Sequence, residues 1–244
     1  MNGRPLVYLI LGAAGSGRRE VVADLIEGGL GAEDRALVIP AAGEAPAAAD
    51  AKLSIPGRWR REGERMEAPS IEGATHVFVI ADGRANPIDQ IEAFRGWVGM
   101  SGGELARIIC VIDCGLAAKH PPLRAWFDAC VHFADVVLLN RREGIENKWM
   151  SDFQAHYTAQ FLPCLFELVK AGHVRNPALI LEPQPRRLSH VFDEEQDWVV
   201  TGDDEEEAEG DEEIEAHPEE DPYLVRRPGG RRVKEIPDIA KFLA

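Results

Sequence analysis

A chain of 244 residues is long enough for one α/β domain with an appendage and a substantial core. Its formal charge of −15 is segregated: about 17 of the 42 acidic residues fall between Asp193 and Asp221, a stretch without Lys or Arg, and the remainder carries 25 acids against 27 bases. A near-neutral body gives no support to nucleic-acid binding through a basic face, and no segment is apolar for long enough to span a membrane.

The chain opens with an apolar, strand-like run at residues 6–11 that passes into Gly12-Ala13-Ala14-Gly15-Ser16-Gly17-Arg18-Arg19. Arg4 ahead of this run, with Ala13 and Ala14 behind it, has features of a short signal peptide, but the run is brief and an amphipathic segment follows at once, which predicts a strand. Val21, Val22, Leu25 and Ile26 then recur at helical spacing. Strand, glycine loop and helix in that order bring backbone N–H groups together at a helix N-terminus, where they converge on an anion. The spacing from Gly12 to Gly17 fits G-x-x-x-x-G-K-[S/T], but Arg18 stands in place of the Lys and Arg19 in place of the hydroxyl. A guanidinium still pairs with phosphate, through a longer planar fork than the ammonium of Lys. Arg19 offers no oxygen to Mg²⁺ and repels a cation, so metal-assisted phosphoryl transfer is the first function lost. Ser16 lies three positions too early to replace that hydroxyl.

A second strand is predicted at residues 36–39, followed at 41–70 by a stretch rich in Ala, Gly, Pro and charge that reads as a long irregular loop. A third strand at 76–81 enters Asp82-Gly83-Arg84-Ala85-Asn86-Pro87, then a helix through Ile88, Ile91, Phe94 and Trp97, with Asn86 as N-cap and Pro87 in the first turn. A fourth strand at 107–112, a helix at 123–133, a fifth strand at 136–139 ending at Asn140, a helix at 146–161 and a sixth strand at 178–181 complete the series. This alternation predicts an α/β fold, a mostly parallel sheet with helices on both faces and ligands beyond the carboxyl ends of the strands, and the glycine loop after the first strand makes it P-loop NTPase-like. Asp113, at the end of the fourth strand, is either a carboxylate of that site or a cap at the sheet edge.

Cys110, Cys114, Cys130 and Cys164 sit in apolar stretches with no C-x-x-C pair and read as buried, reduced thiols of a cytoplasmic protein. Cys110 and Cys114 are read on one strand, a full extended span apart, which disfavours a metal pair. The histidines are scattered, and His132 and His156 read as surface or half-buried side chains. No G-x-S-x-G elbow points to nucleophilic catalysis.

Residues 203–209 and 211–215 repel themselves and have almost nothing apolar to bury, so they are expected to stay disordered. Beyond them lie Arg226, Arg227, Arg231, Arg232 and Lys234, then Ile236, Ile239, Phe242 and Leu243, a pattern that reads either as a docking segment or as an inert solubilising tail. Its target as a docking segment is the acidic run of the same chain, a protein partner or an anionic surface. The expected organisation is a domain at 1–187, a disordered acidic linker at 188–221 and a basic, amphipathic segment at 222–244. With few apolar residues beyond position 193, the domain is expected to fold without them.

Three loops in register then resemble the landmarks of the CobW/HypB/UreG family of metal-handling GTPases. They are residues 12–19, the run from Ala81 to Pro87, and Ala134-Asp135-Val136-Val137-Leu138-Leu139-Asn140-Arg141-Arg142-Glu143, and the resemblance covers roughly residues 5–183. It implies a GTP-binding domain that holds phosphate on Gly12, Ala13, Ala14, Gly15, Ser16, Gly17, Arg18 and Arg19 and the base on Asn140 and Glu143. The departures are specific. Ile80 stands where the family has an acidic residue, Arg141 replaces Lys, and Glu143 replaces Asp with one methylene more, which puts guanine discrimination in doubt. The family's C-x-C-C metal run is missing, since residues 41–75 contain neither Cys nor His, and the residues after Leu181 are expected to be mostly tail and not the C-terminal domain of CobW-type members. The resemblance therefore implies a degenerate site for GTP or another nucleotide, with Mg²⁺ weak or absent, that serves interaction rather than turnover. The alternatives are an active metallochaperone GTPase and a scaffold that binds no nucleotide. The sequence names neither a partner protein nor an assembly state.

Overall fold

Alternation along the first strand sets up two layers of helices. The computed structural model describes residues 3–193 and 220–243. In β1 (Leu6–Gly12), Tyr8 and Ile10 belong to one core cluster and Val7, Leu9 and Leu11 to the other, as the period of two requires of a strand covered on both faces. The first face takes α1 (Arg18–Gly29) through Val21, Val22 and Leu25. The second takes α2 (Pro87–Met100) through Ile88, Ile91 and Phe94, α4 (Arg124–His132) through Trp126, Phe127 and Cys130, and α5 (Asn147–Thr158) through Phe153 and Tyr157.

The sheet confirms the expected fold class. Parallel β5 (His76–Ile80) and β6 (Glu104–Asp113) flank β1, with β2 (Ala36–Pro40) outside β5. On the other side β7 (Val136–Asn140) and β8 (Leu165–Lys170) continue the parallel order, and the short β9 (His173–Val174) closes it antiparallel. The chain reverses direction across the sheet beside β1, so the crevice outside its carboxyl end lies over the glycine loop.

Three expectations are corrected. Residues 178–181 are not a strand but part of α6 (Pro177–Leu181); the sixth parallel strand is Leu165–Lys170. A short apolar run does not distinguish the two states, whereas Pro177 in the first turn and the Asn176 side chain, which accepts from the Leu179 amide at 3.3 Å, make a helix start. Tyr8 then donates its hydroxyl to the Leu181 carbonyl at 2.7 Å, and the fully buried Arg107 donates to Leu179 O, Ile180 O and Gln184 O, so this short helix is tied to the sheet by two polar side chains.

Residues 41–70 are not irregular throughout. They contain a 3₁₀ turn at Ala48–Lys52 and a hairpin of β3 (Arg60–Glu62) and β4 (Arg65–Glu67). Trp59 anchors the stretch: it bridges to Ala41, and its buried indole N–H donates to Ile80 O at 2.8 Å.

The third correction concerns the C-terminal segment, which adds to the core instead of standing apart from it. Tyr223 and Ile239 are buried in the second face's core. Asp221 Oδ2 meets His132 Nε2 at 2.8 Å and accepts from the Ser189 hydroxyl, so His132, expected at the surface or half-buried, is a buried partner. Arg232 reaches Asp89 on α2 at 2.7 Å and also Glu92, and Lys234 Nζ lies 3.8 Å from the centroid of the Tyr223 ring. Two buried apolar side chains fixed by ion pairs suffice where a sequence reading sees mainly charge. The acidic runs at 203–209 and 211–215 lie outside the described residues.

Truncating a buried aromatic to Ala removes about 3 kcal/mol or more. In a domain of this size that lowers Tm by roughly 6–12 °C for Tyr223→Ala, read by calorimetry. An unchanged Tm would mean that residues 220–243 detach in solution. Burial alone raises the Asp221 and Asp89 carboxyls, but the hydrogen bonds from His132 and Ser189 to Asp221, and from Arg232 and Arg61 to Asp89, outweigh it and leave both below the ordinary carboxylate range. A lowered folded pKa contributes stability above the unfolded value of about 3.9 and loses it as pH falls through the folded one. Amide protection factors within 221–243, taken relative to intrinsic exchange, should therefore fall as pH drops below about 4, while the β1 amides stay protected. Simultaneous loss in both would contradict this.

Candidate phosphate loop

The loop after β1 has the conformation that its glycines were needed for. Gly12, Gly15 and Gly17 all have positive φ, at 136°, 83° and 86°, and Gly17 is the residue that caps α1. A Cβ on Gly12 would run into the Val111 carbonyl oxygen, and one on Gly17 into the Asn140 amide. Ser16 N donates to Ala13 O at 3.1 Å and closes a tight turn. The backbone N–H groups of Gly15, Gly17, Arg18 and Arg19 donate to no protein acceptor among the described residues, which leaves a cluster of donors at the positive end of a twelve-residue helix.

Two contacts hold this loop from outside. Asn140, at the end of β7, donates Nδ2 to Ser16 O at 2.8 Å. Ala14 N donates to Gly83 O at 3.0 Å, which presses the turn after β5 against the loop. Beyond that turn Asn86 Oδ1 accepts from the Ile88 amide at 2.9 Å with Pro87 in the first turn, the N-cap expected from the sequence. Ile80 is fully buried within β5, so its position offers the loop no carboxylate.

The side chains of Arg18 and Arg19 do not stand open to solvent. Arg18 is 4% exposed, donates to Ala81 O and pairs with Glu44 Oε1 at 2.7 Å. Arg19, also 4% exposed, donates to Ala45 O at 2.7 Å, pairs with Asp50 at 2.9 Å and lies 3.6 Å from Glu44 Oε2. Glu44 and Asp50 are the residues that reading the sequence missed. Their only signal is two carboxylates downstream of the second strand, where a pair of guanidinium groups at a helix N-terminus needs counter-charge.

The other expected residues divide. Asn140 is brought to the loop, whereas Glu143 is exposed and bonded to nothing among the described residues; Arg141 between them has φ 52°. Asp113 takes its structural alternative: it caps α3 (Cys114–Lys119), accepting from the Leu116 amide at 2.8 Å, and burial pushes its carboxyl up. All four thiols are free and buried, and Cys114 opens α3 instead of extending a strand. Burial pushes the Cys114 and Cys164 thiols up to about 12, far from the thiolate that a metal needs. Among the described residues no group of three or more His, Cys, Asp or Glu side chains is arranged to hold a metal ion, and no helix is long and apolar enough to cross a membrane.

No family model and no curated protein matches the chain. Solved structures similar to it include a zinc-bound YjiA GTPase from E. coli, 14% identical over 75% of this chain and 67% of that one, with a TM-score of 0.44. The cell division protein FtsY from Thermotoga maritima is 14% identical over 80% and 70%, with a TM-score of 0.47. The signal recognition particle receptor FtsY from Elizabethkingia anophelis, solved in complex with GDP, is 12% identical over 80% and 66%, with a TM-score of 0.44. What each residue does here rests on its own geometry.

Gly83 measures how tightly the loop is clasped. A Cβ there would overlap backbone atoms of Ala13 and Ala14, which cannot swing aside as a side-chain end can. Gly83→Ala should cost about 1–3 kcal/mol, the usual range for overpacking. Gly99→Ala, in open space on α2, should be neutral or stabilising. Equal Tm values for the two variants would show that the turn and the loop are not in contact.

Proposed function

We propose that residues 12–19 bind the phosphates of a nucleotide, GTP or a related purine nucleotide, in a protein that acts by binding and not by turnover. The observation that carries this is the set of unpartnered amides at Gly15, Gly17, Arg18 and Arg19, held in place by Asn140 and Gly83. Backbone donors of this kind recognise phosphate without help from side-chain charge. In this reading Gly12 to Gly17 form the cradle, with Asn140 fixing its floor.

Mg²⁺ does not fit the residues present. The position that would offer a hydroxyl carries Arg19, already bound to Asp50, and position 80 carries a buried Ile. No hydrolytic step follows. Selection of the base is weak on this reading, because Glu143 is exposed and bonded to nothing among the described residues. Four buried thiols and the lack of Cys and His in residues 41–75 weigh against an active metallochaperone GTPase. They fit a reducing, cytoplasmic setting. A protein partner would meet the exposed basic groups of the C-terminal segment, Arg227 and Arg231, since its buried apolar side chains face the core.

One observation favours a scaffold that binds no nucleotide: both loop arginines are already neutralised within the chain. Thermal-shift titration with GTP, GDP and ATP, with and without Mg²⁺, separates the readings. A ligand at a hundred times its Kd stabilises the fold by about 2.7 kcal/mol, a rise in Tm of roughly 5–11 °C. The expected outcome is a rise with at least one guanine nucleotide that depends little on Mg²⁺, only a weak preference over the adenine counterpart, and no phosphate release over hours. Multiple turnovers with strong Mg²⁺ dependence would establish a working enzyme, and no rise with any nucleotide would establish the scaffold.

A further inference from the structure

An anion already sits against the loop, and it belongs to the chain. In loops of this spacing the cation that follows the last glycine reaches the β- and γ-phosphates. Arg18 holds that place, and its guanidinium is closed onto Glu44 Oε1 at 2.7 Å. The same oxygen accepts the Gly83 amide at 2.8 Å, and Oε2 lies 3.6 Å from Arg19 Nη2. Donors from two elements, the first turn of α1 and the turn after β5, thus surround one carboxylate whose side chain is 11% exposed.

The backbone that presents Glu44 is itself fixed. Glu44 N donates to Ala41 O at 3.1 Å, Arg58 Nη1 donates to Glu44 O at 2.6 Å, and Ala42 N donates to Trp59 O at 2.8 Å. Gly43 lies against the Asp82 side chain, which a Cβ there would have to displace. The amides of Gly15, Gly17, Arg18 and Arg19 remain free among the described residues. Beside them the Ser16 hydroxyl and Arg19 Nε and Nη2 are buried without a hydrogen-bond partner. Free amides on one side and a carboxylate on the Arg18 guanidinium on the other divide the site into an open half and a filled half.

We propose that Glu44 is a built-in stand-in for a terminal phosphate, so that the site takes a nucleoside diphosphate and rejects the triphosphate. This rests on the nucleotide-binding reading of the same loop. A third phosphate would bring a second anion to the place where Glu44 Oε1 already holds both Arg18 and the Gly83 amide, and the two anions would repel. A diphosphate ends before that place and uses the amides of Gly15, Gly17, Arg18 and Arg19.

The test is calorimetric titration of the full chain with GDP and GTP, in the wild type and in Glu44→Gln, which keeps an acceptor for Arg18 and Gly83 but removes the charge. The wild type should bind GDP at least about tenfold more tightly than GTP, and Glu44→Gln should raise GTP affinity at least about tenfold and erase the preference. Glu44→Asp, which keeps the charge and withdraws it by one methylene, should weaken the preference only in part, and it serves if the Gln variant does not fold. Equal GDP and GTP affinity in the wild type, or a preference that Glu44→Gln leaves intact, would overturn the proposal while leaving nucleotide binding in place. Failure of both GDP and GTP to bind the folded wild type would overturn the nucleotide reading and this proposal together.

Discussion

Two guanidinium groups buried at the N-terminus of one helix set the constraint around which this molecule is arranged. That end of α1 carries the positive pole of the helix dipole, so cations there are unfavourable before desolvation is counted. Arg18 and Arg19 are each only 4% exposed, and neither charge is tolerable there alone. Glu44 and Asp50 resolve this, and both come from the stretch after β2. That stretch therefore has to be ordered, and Trp59, Arg58 and the 3₁₀ turn at Ala48–Lys52 order it. The substitutions that remove the usual Lys and hydroxyl from the loop and the structure of residues 41–70 are one feature seen from two ends.

What the sequence revealed and what it hid divide along the range of the interactions involved. The passage from β1 through the glycine loop to α1 was legible because each signal is local: an alternating strand, glycines where φ is positive, and apolar residues at helical spacing. The Asn86–Pro87 helix start was legible for the same reason. Partners of Arg18 and Arg19 lie 26 and 31 residues away, and no periodicity marks a pairing between a helix start and a loop. The misread run at 178–181 had a local signal after all, the Asn176–Pro177 cap, outweighed by four apolar residues that suit either a strand or a helix. Tyr223 and Ile239 were obscured because a basic, amphipathic run reads as a docking segment or a solubilising tail, when Arg232 and Asp221 are the ties that hold the segment down.

Asp135 shows how a landmark in sequence acquires a structural role. It is fully buried; one oxygen accepts from the Ile108 amide at 2.6 Å, and the other accepts from the Arg186 and Arg187 amides at 2.6 and 3.1 Å. A carboxylate that accepts several backbone donors is well satisfied, and it needs no ligand to explain its burial. It joins β6 to the strand-less stretch after α6, just as Asp221 joins Ser189 of that stretch to His132 on α4. The middle of the stretch, at Arg186, Arg187 and Ser189, is thus held by two buried carboxylates.

The same logic connects the C-terminal segment to the phosphate loop. Helix α2 starts from the turn whose Gly83 carbonyl holds Ala14, and its first turns carry Asp89 and Glu92, which hold Arg232. Asp89 also pairs with Arg61 of the hairpin at 3.2 Å, and that hairpin continues from Trp59, beneath the backbone that presents Glu44. A single acidic patch on α2 therefore fastens the C-terminal segment and the hairpin together, and both attachments lead back within a few residues to contacts on the loop. Because packed elements of this kind move as units, displacing Glu44 from Arg18 requires the stretch between Ala41 and Trp59 to shift against a helix that the end of the chain is holding in place.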